Sequence, residues 1–196
     1  MENLKNRIAE AIRESIEVKQ AVLADEALQK TLYDLSVIMA DCLKGGGKVL
    51  FCGNGGSAAD AQHLAAELSG RFYSDRDPLF AEALHVNTSY LTAVANDYSY
   101  EEIYSRLVKA KGRPGDVLIG ISTSGNSPNI LRAIETATKQ GMVTVGMTGA
   151  TGGKMNSICS HMIRIPSKDT PRIQECHILC GHILCELVEK ILFPGA

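Results

Sequence analysis

The sequence lacks any apolar stretch long enough to cross a lipid bilayer, and it has no excess of basic residues. Its 20 lysine and arginine residues face 22 aspartates and glutamates, so the formal net charge is -2. This balance gives no broad positive surface for nucleic acid or for an anionic membrane. The first residues follow a charged amphipathic pattern, unlike a signal peptide. We therefore expect a cytoplasmic protein with no nucleic-acid partner and no membrane partner.

The common cysteine motifs and the common nucleotide-binding motifs are also absent. The six cysteines form no Cys-x-x-Cys pair and no zinc-ribbon spacing, and most lie in apolar runs; they are Cys42, Cys52, Cys159, Cys176, Cys180 and Cys185. This distribution predicts reduced, buried thiols with a structural role. No glycine-rich loop carries the Lys-Ser/Thr of a P-loop, and none has the dinucleotide-binding fingerprint. The sequence therefore predicts neither kind of nucleotide site.

Strand patterns and helical patterns alternate along the 196 residues, 45% of which are hydrophobic. Strands are predicted at residues 48–52, 79–86, 117–121, 142–147 and 162–165, and helices at residues 58–68, 89–95, 104–110, 129–140 and 172–192. This alternation predicts one domain with a parallel sheet covered by helices on both faces, a three-layer α/β/α fold. Ligands of such folds bind at the carboxyl ends of the strands.

Two amphipathic helices are predicted ahead of the first strand, at residues 2–23 and 25–43. In the first helix Leu4, Ile8, Ile12 and Ile16 recur at helical spacing, with charged residues between them. Neither helix belongs to a strand–helix repeat, so each must bury its apolar stripe elsewhere. The sheet is one candidate partner, and a second subunit is the other.

Residues 117–128, with the sequence VLIGISTSGNSP, carry the strongest signal of a binding site. A buried strand runs into a loop with four hydroxyl side chains, and Pro128 then begins a helix. The hydroxyls belong to Ser122, Thr123, Ser124 and Ser127. Unpaired backbone N–H groups, the positive end of the helix dipole and rotatable hydroxyls suit a phosphate dianion without a lysine. A serine-rich turn that caps the helix is the alternative.

A second loop of this kind, at residues 53–57, lies between the first predicted strand and its helix. Its residues are Gly53, Asn54, Gly55, Gly56 and Ser57. The glycines let backbone N–H groups approach a ligand, and Ser57 is expected to cap the helix. This loop is a weaker signal alone, but the two loops together favour a site for a phosphorylated ligand.

Several spaced motifs resemble the sugar isomerase, or SIS, domain family. They are CGNGGS at residues 52–57, GISTSGNS at residues 120–127, Asn96-Asp97, and RIQExH at residues 172–177. More narrowly the chain is similar to the phosphoheptose isomerases, which convert sedoheptulose 7-phosphate into a manno-heptose 7-phosphate for bacterial lipopolysaccharide core or capsule. The resemblance covers essentially the whole chain. It implies one doubly wound SIS domain at residues 1–196 and a homotetramer formed partly by the helices of residues 1–44, with active sites near subunit interfaces.

The resemblance also implies roles for individual residues. The phosphate is expected at Ser122, Thr123, Ser124 and Ser127, and the sugar at Asn54, Gly55, Gly56, Ser57, Asn96, Asp97, Glu67 and Gln174. The acid and base of the reaction correspond to Glu67 and His182, and one zinc ion per subunit corresponds to His63, Glu67, Gln174 and His182. In one departure, Pro171 stands where some members have an acidic residue, and we assign no role there.

The residue types agree with the chemistry. Aldose and ketose interconvert through an enediol, which requires a base at carbon and a partner that moves protons between oxygens. His63 and Glu67 stand four residues apart and share a helix face, whereas Gln174 and His182 stand eight apart, separated by about 80° of rotation. Each of these residues alone is more often a solvated or core side chain. Together with the two loops they favour a catalytic site.

The remaining histidines have no predicted catalytic role, and two other functions are possible for this kind of sequence. His85 and His161 have no partner pattern and are expected to be structural, while His177 points away from His182 and predicts packing or an interface. A non-catalytic SIS protein that associates with the bacterial replication initiator is the alternative function. A sugar-sensing transcription regulator would need a DNA-binding module, for which the chain has no room. Glu67 and His182 favour the enzyme, since a scaffold has no chemical need for either.

Overall fold

A five-stranded parallel sheet forms the centre of the molecule. The computed structural model describes residues 2–195. The strands are β1 Val49–Gly53, β2 Ala81–Ala83, β3 Val117–Ile121, β4 Val143–Thr148 and β5 His161–Arg164. They are arranged in the order β2-β1-β3-β4-β5, and every neighbouring pair is parallel. The predicted parallel sheet is therefore confirmed.

In the described part of the chain, seven α-helices flank this sheet, and those packed on it cover both of its faces. They are α1 Glu2–Ala24, α2 Glu26–Lys44, α3 Gly56–Ser69, α4 Thr88–Asp97, α5 Ile103–Lys111, α6 Pro128–Lys139 and α7 Thr170–Leu192. One apolar core joins α2, α3 and α7 to the sheet, and a second joins α4, α5 and α6 to the opposite face. The three-layer α/β/α architecture is confirmed. Within residues 2–195, no helix has the length and apolar character needed to cross a membrane.

Strand β2 is shorter than the sequence predicts. The pattern at residues 79–86 indicates one strand, but only Ala81–Ala83 pairs with β1. The chain turns directly afterwards, because the Val86 N–H bonds to the carbonyl of Ala83 at 3.5 Å. β2 is also an edge strand, so it lacks a second neighbour that would extend it.

The two N-terminal helices differ in how they bury their apolar residues. Helix α2 packs its stripe into the core, with Leu35 and Met39 almost fully buried. In α1, only Val22 is fully buried among the described side chains, while Leu4, Ile8, Ile12 and Ile16 are between 49% and 72% exposed. The core of this chain therefore covers the apolar stripe of α2, as one of the two alternatives predicted. The stripe of α1 stays exposed in the single chain.

The cysteines are reduced, as predicted. All six are free, four are buried, and Cys42 and Cys159 are half-buried. Burial raises the pKa of Cys180 and of Cys185 to about 12, although nearby charges also act on Cys185. These two thiols stay protonated at neutral pH and are therefore poor nucleophiles.

Candidate active site

The two loops singled out in the sequence lie side by side at the carboxyl edge of the sheet. We call residues 53–57 the glycine loop and residues 122–127 the hydroxyl loop. The strands that lead into them are neighbours, and their last residues, Gly53 and Ile121, are partners in the sheet. Each loop leads into a helix N-terminus, α3 after the glycine loop and α6 after the hydroxyl loop. The positive ends of two helix dipoles therefore face the same region.

The backbone of the hydroxyl loop packs closely against the segment at residues 152–153. Gly125 has a φ of 65°, and a Cβ atom there would stand 2.1 Å from the carbonyl oxygen of Gly152. Ser127 is the N-cap of α6, yet its side chain makes no capping hydrogen bond; its hydroxyl instead lies 2.9 Å from that of Ser122. The capping alternative is therefore wrong for Ser127, and its hydroxyl is oriented into the loop.

A cavity of about 280 Å³ opens against the hydroxyl loop. Thr123, Ser124 and Asn126 line one side of it, and the segment ahead of α7 lines the other. That segment contributes Lys168, the single charged residue among the lining residues. The sequence indicated a phosphate site that needs no lysine, but the fold brings one to it. No local pattern announces Lys168, because it lies far along the chain from the loop.

In the glycine loop, the expected approach of backbone N–H groups to a ligand stays a prediction, and the expected helix cap is wrong. Gly53 must lack a side chain, since a Cβ atom would lie 2.3 Å from the carbonyl oxygen of Ser57. Ser57, however, does not cap the helix. Helix α3 begins at Gly56, its N-cap is Gly55 with no side-chain bond, and Ser57 is buried inside the first turn. The helix starts earlier than predicted because Gly55, at a φ of 56°, makes the turn.

An amide pair joins the glycine loop to the start of α6. Asn54 Nδ2 donates to Asn129 Oδ1 at 2.9 Å, and Asn129 Nδ2 donates to Asn54 Oδ1 at 2.8 Å. The Tyr100 hydroxyl adds a third hydrogen bond, to Asn54 Oδ1 at 3.1 Å. No sequence pattern indicated Asn129 or Tyr100. A pair formed across 75 residues leaves no local signal.

Helix α7 passes both loops and carries site residues along its length. Ile173 lines the cavity of the hydroxyl loop. Gln174 lies against the glycine loop, where its Nε2 atom would be 2.6 Å from a Cβ atom on Gly56. Further along, Gly181 allows α7 to approach α3 closely, since a Cβ atom there would stand 2.4 Å from Leu64 Cδ1. This close approach sets the next residue, His182, beside α3.

Three side chains with metal-binding atoms converge where α3 and α7 meet. His63 Nε2 lies 2.9 Å from His182 Nε2 and 3.0 Å from Glu67 Oε1. One ligand atom from each of the three residues lies within 4.8 Å of the others. Gln174 stands two helical turns away along α7, about 12 Å in rise, beside Gly56. The structure thus brings together three of the four predicted ligands, and the role of Gln174 as a ligand stays a prediction.

A buried ion pair fixes the segment that follows α3. Glu189 of α7 accepts hydrogen bonds from the backbone N–H groups of Phe72, Tyr73 and Ser74 and from Arg76 Nε. Burial raises the pKa of Glu189, but these four donors outweigh it and hold the pKa below the ordinary value. Arg76 also donates to the carbonyl oxygen of Glu67 at 2.9 Å. The pair therefore anchors the end of α3 next to the Glu67 backbone.

The other predicted residues lie away from these contacts. Asn96 and Asp97 end α4, both exposed, and Asn96 Nδ2 donates to Asp97 Oδ1 at 2.9 Å. Their predicted role in sugar binding stays a prediction. His177 is fully buried, and its Nε2 lies 3.1 Å from the carbonyl oxygen of Thr148. Burial, only partly offset by that bond, lowers its pKa to about 4, which agrees with the predicted packing role.

The fold and the two loops define a sugar isomerase domain, and residues 8–149 match the family model "SIS domain". The chain is 51% identical over 190 residues to a phosphoheptose isomerase of Aneurinibacillus thermoaerophilus, spanning 97% of this chain and 96% of that protein. It is 50% identical over 193 residues to phosphoheptose isomerase 2 of Campylobacter jejuni, spanning 98% and 96%. A solved phosphoheptose isomerase structure from Neisseria gonorrhoeae has 42% identity and a TM-score of 0.89, covering 95% of this chain and 99% of that one. The chain therefore belongs to the SIS domain family, within its phosphoheptose isomerases.

Proposed function

We propose that this protein is an aldose–ketose isomerase that converts D-sedoheptulose 7-phosphate to D-glycero-D-manno-heptose 7-phosphate. The observation that carries the proposal is the convergence of Glu67 and His182, in a chain about half identical to phosphoheptose isomerases over nearly its whole length. The product would supply heptose for bacterial lipopolysaccharide core or capsule. A phosphorylated substrate also favours the cytoplasmic location expected from the sequence.

The hydroxyl loop would hold the phosphate at one end of the substrate. Its hydroxyls would donate hydrogen bonds to the phosphate, and the dipole of α6 favours negative charge there. Lys168, across the cavity, adds a positive charge. The glycine loop, with Gln174 against it, would face the sugar carbons. The two loops together would fix the reacting carbons relative to α3 and α7.

Glu67 and His182 would move the protons. Isomerisation removes a proton from the first carbon of the ketose and returns one to the second carbon, while the oxygen on the first carbon loses its proton and the oxygen on the second carbon gains one. We assign the carbon-bound proton to the Glu67 carboxylate, and the oxygen-bound proton to His182. Glu67 Oε1 lies 3.0 Å and His182 Nε2 lies 2.9 Å from His63 Nε2, so both are close enough to reach adjacent atoms of one substrate.

The converging side chains also fit a zinc ion. Two imidazole nitrogens and a carboxylate oxygen point to one region, and this donor set is typical of zinc. His63, Glu67 and His182 would hold the ion, with Gln174 as the predicted fourth ligand. When bound, zinc would polarise the sugar carbonyl and stabilise negative charge on its oxygen. Because a coordinated carboxylate has fewer free lone pairs, Glu67 must be at least transiently free of the ion to take the proton.

We further propose a homotetramer whose contacts include the exposed stripe of α1. Four large apolar residues along one helix face are left open in the single chain, and an isologous contact with a second copy would cover them. Ile8→Asp together with Ile12→Asp is expected to dissociate the assembly, as measured by light scattering. A monodisperse, fully active monomer of the intact chain would contradict this proposal.

Turnover of sedoheptulose 7-phosphate by the purified protein tests the proposed function. We expect formation of the aldose with exchange of the carbon-bound proton for solvent deuterium. Chelation should lower activity, and returned zinc should restore it. Full activity of the metal-stripped protein would make the zinc non-essential. Binding of the sugar phosphate without turnover or exchange would instead favour the non-catalytic alternative.

A further inference from the structure

The Asn54–Asn129 pair occupies an unusual position, since it is the side-chain link between the glycine loop and the start of α6. Asn129 is the second residue of α6 and is 2% exposed. Asn54 belongs to the glycine loop and is half-buried. The link lies just beyond the last sheet pair, Gly53 with Ile121, where the backbone ladder no longer holds the strands together. The spacing of the two loops therefore depends on these side chains.

The carboxamide oxygens of this pair are fully used within the protein. Asn54 Oδ1 accepts from Asn129 Nδ2 and from the Tyr100 hydroxyl. Asn129 Oδ1 accepts from Asn54 Nδ2 and from the backbone N–H of Ile130 at 3.0 Å. A carboxamide oxygen has two lone pairs, so neither has acceptor capacity left for a sugar hydroxyl. The Asn54 oxygen therefore cannot serve as a direct acceptor for the substrate while this network is intact.

The same network makes the spacing of the loops rigid. Separating the two residues would leave a buried amide without a partner, which is costly inside a protein. Asn129 is fixed by α6, whose N-terminus borders the hydroxyl loop, and Asn54 is fixed to the backbone of the glycine loop. A phosphorylated sugar bound by both loops must match the distance between them.

We propose that Asn129 is a positioning residue that, through Asn54, sets the distance between the phosphate end and the sugar end of the site. This inference rests on the proposed function, because it assigns the two loops to the two ends of one sugar phosphate. The buried carboxamide of Asn129 contacts neither end; it acts by holding the glycine loop where the sugar carbons must lie. Loss of the pair should leave the affinity for phosphate unchanged and should weaken binding and turnover of the whole sugar phosphate.

The test compares two ligands on three variants, Asn129→Ala, Asn54→Ala and the double variant. Inorganic phosphate probes the hydroxyl loop alone, and sedoheptulose 7-phosphate probes both loops. We expect the dissociation constant for phosphate to change by less than about twofold, and kcat/KM for the sugar phosphate to fall roughly tenfold or more. The double variant should be no worse than the poorer single variant, because both substitutions break the same link.

Two further variants separate positioning from general stability. Thr144→Val removes the buried hydroxyl that bonds to Ser160 at 3.0 Å near the start of β4, away from both loops. It should lower the melting temperature without changing the affinity for sedoheptulose 7-phosphate relative to that for phosphate. Tyr100→Phe removes only the third hydrogen bond and should have a smaller effect than Asn54→Ala. If Asn129→Ala fails to fold, Asn129→Ser gives the same comparison, because serine keeps a polar group at this buried position but cannot form the reciprocal amide pair.

Equal losses for phosphate and for the sugar phosphate in the folded variants would overturn the positioning role, as would additive effects in the double variant. The proposed function fails separately, if the unmodified chain does not turn over sedoheptulose 7-phosphate. In that event, calorimetric binding of the same two ligands replaces the kinetics. An unchanged ratio of dissociation constants in the variants would then count against Asn129, and a raised ratio would support it.

Discussion

Polar groups have different surroundings at the amino edge of the parallel sheet, where the strands begin, and at its carboxyl edge, where they end. At the amino edge, Asp116 is 2% exposed and accepts hydrogen bonds from Lys48 Nζ at 2.6 Å, Lys48 N at 3.0 Å and Arg113 N at 2.8 Å. At the carboxyl edge, Ser124 lines an open cavity, and the Ser127 side chain makes no capping hydrogen bond to α6. The first edge satisfies its polar groups internally, whereas the second keeps donors available for a ligand.

The amino edge of the sheet therefore contributes to stability, and the carboxyl edge contributes to ligand binding. A buried carboxylate with three donors stabilises the native state but offers nothing to a substrate. Uncapped helix N-termini are less favourable in the free protein, yet they form a ready site for an anion. Substitutions at the amino edge should therefore affect unfolding, and substitutions at the carboxyl edge should affect activity.

The largest expected effect is that of Glu67→Gln. The amide cannot accept the carbon-bound proton, so turnover should fall by about 10²- to 10⁴-fold, the range of general acid–base catalysis. The melting temperature and inorganic phosphate binding should stay close to those of the wild type, because Glu67 is partly exposed and lies outside the hydroxyl loop. Turnover and solvent deuterium exchange measure the effect. Exchange at an undiminished rate would remove Glu67 as the base.

At the opposite edge, Asp116→Ala should act on stability. It leaves the Lys48 ammonium, with 14% of its side chain exposed, without its carboxylate and strips two backbone N–H groups of their acceptor. Breaking a buried pair in this way costs about 3–5 kcal/mol. Urea unfolding measures the loss, and the activity of the folded fraction should be unchanged. A variant with wild-type stability but lower activity would reverse the comparison between the two edges.

His177 lies near the carboxyl edge but does not belong to the site, so it should affect stability and not activity. Its pKa is lowered from 6.5 to about 4 in the folded chain, mainly by burial. The unfolded chain binds the proton more readily, so stability should fall as the pH drops from about 6.5 toward 4, by at most roughly 3 kcal/mol. His177→Gln should flatten this dependence. Urea unfolding at pH 7, 5.5 and 4.5 checks it, and an unchanged slope would contradict the assignment.

The smallest expected effect is that of Lys168→Met. Lys168 is exposed, so its attraction to a phosphate is screened and should be worth about 1 kcal/mol or less. KM for the sugar phosphate should rise severalfold at low ionic strength, and the difference should shrink in high salt. The matched control is Lys154→Met, an exposed lysine that does not line the cavity. Equal changes in both variants would show that Lys168 has no specific role.

Local patterns determined much of this molecule. Residues 117–128 read as strand, loop and helix, and the structure has β3 at Val117–Ile121 and α6 beginning at Pro128. Apolar β-branched runs favour buried strands, and proline favours the first turn of a helix, so neighbours in sequence suffice to place these elements. Where local signals compete, prediction fails. Ser57 is a good cap residue, but the turn at Gly55 begins the helix before it.

Contacts between residues far apart in sequence could not be predicted from local patterns. His63 and His182 lie 119 residues apart in sequence, and they touch because Gly181 lacks a side chain that would press on Leu64. Asn54 and Asn129 pair across 75 residues, and Lys168 reaches the hydroxyl loop through the path of the segment ahead of α7. The resemblance to a family indicated the histidines, but spacing alone did not. Such contacts depend on how whole helices pack on the sheet, and a sequence pattern records only neighbours within a turn or a strand.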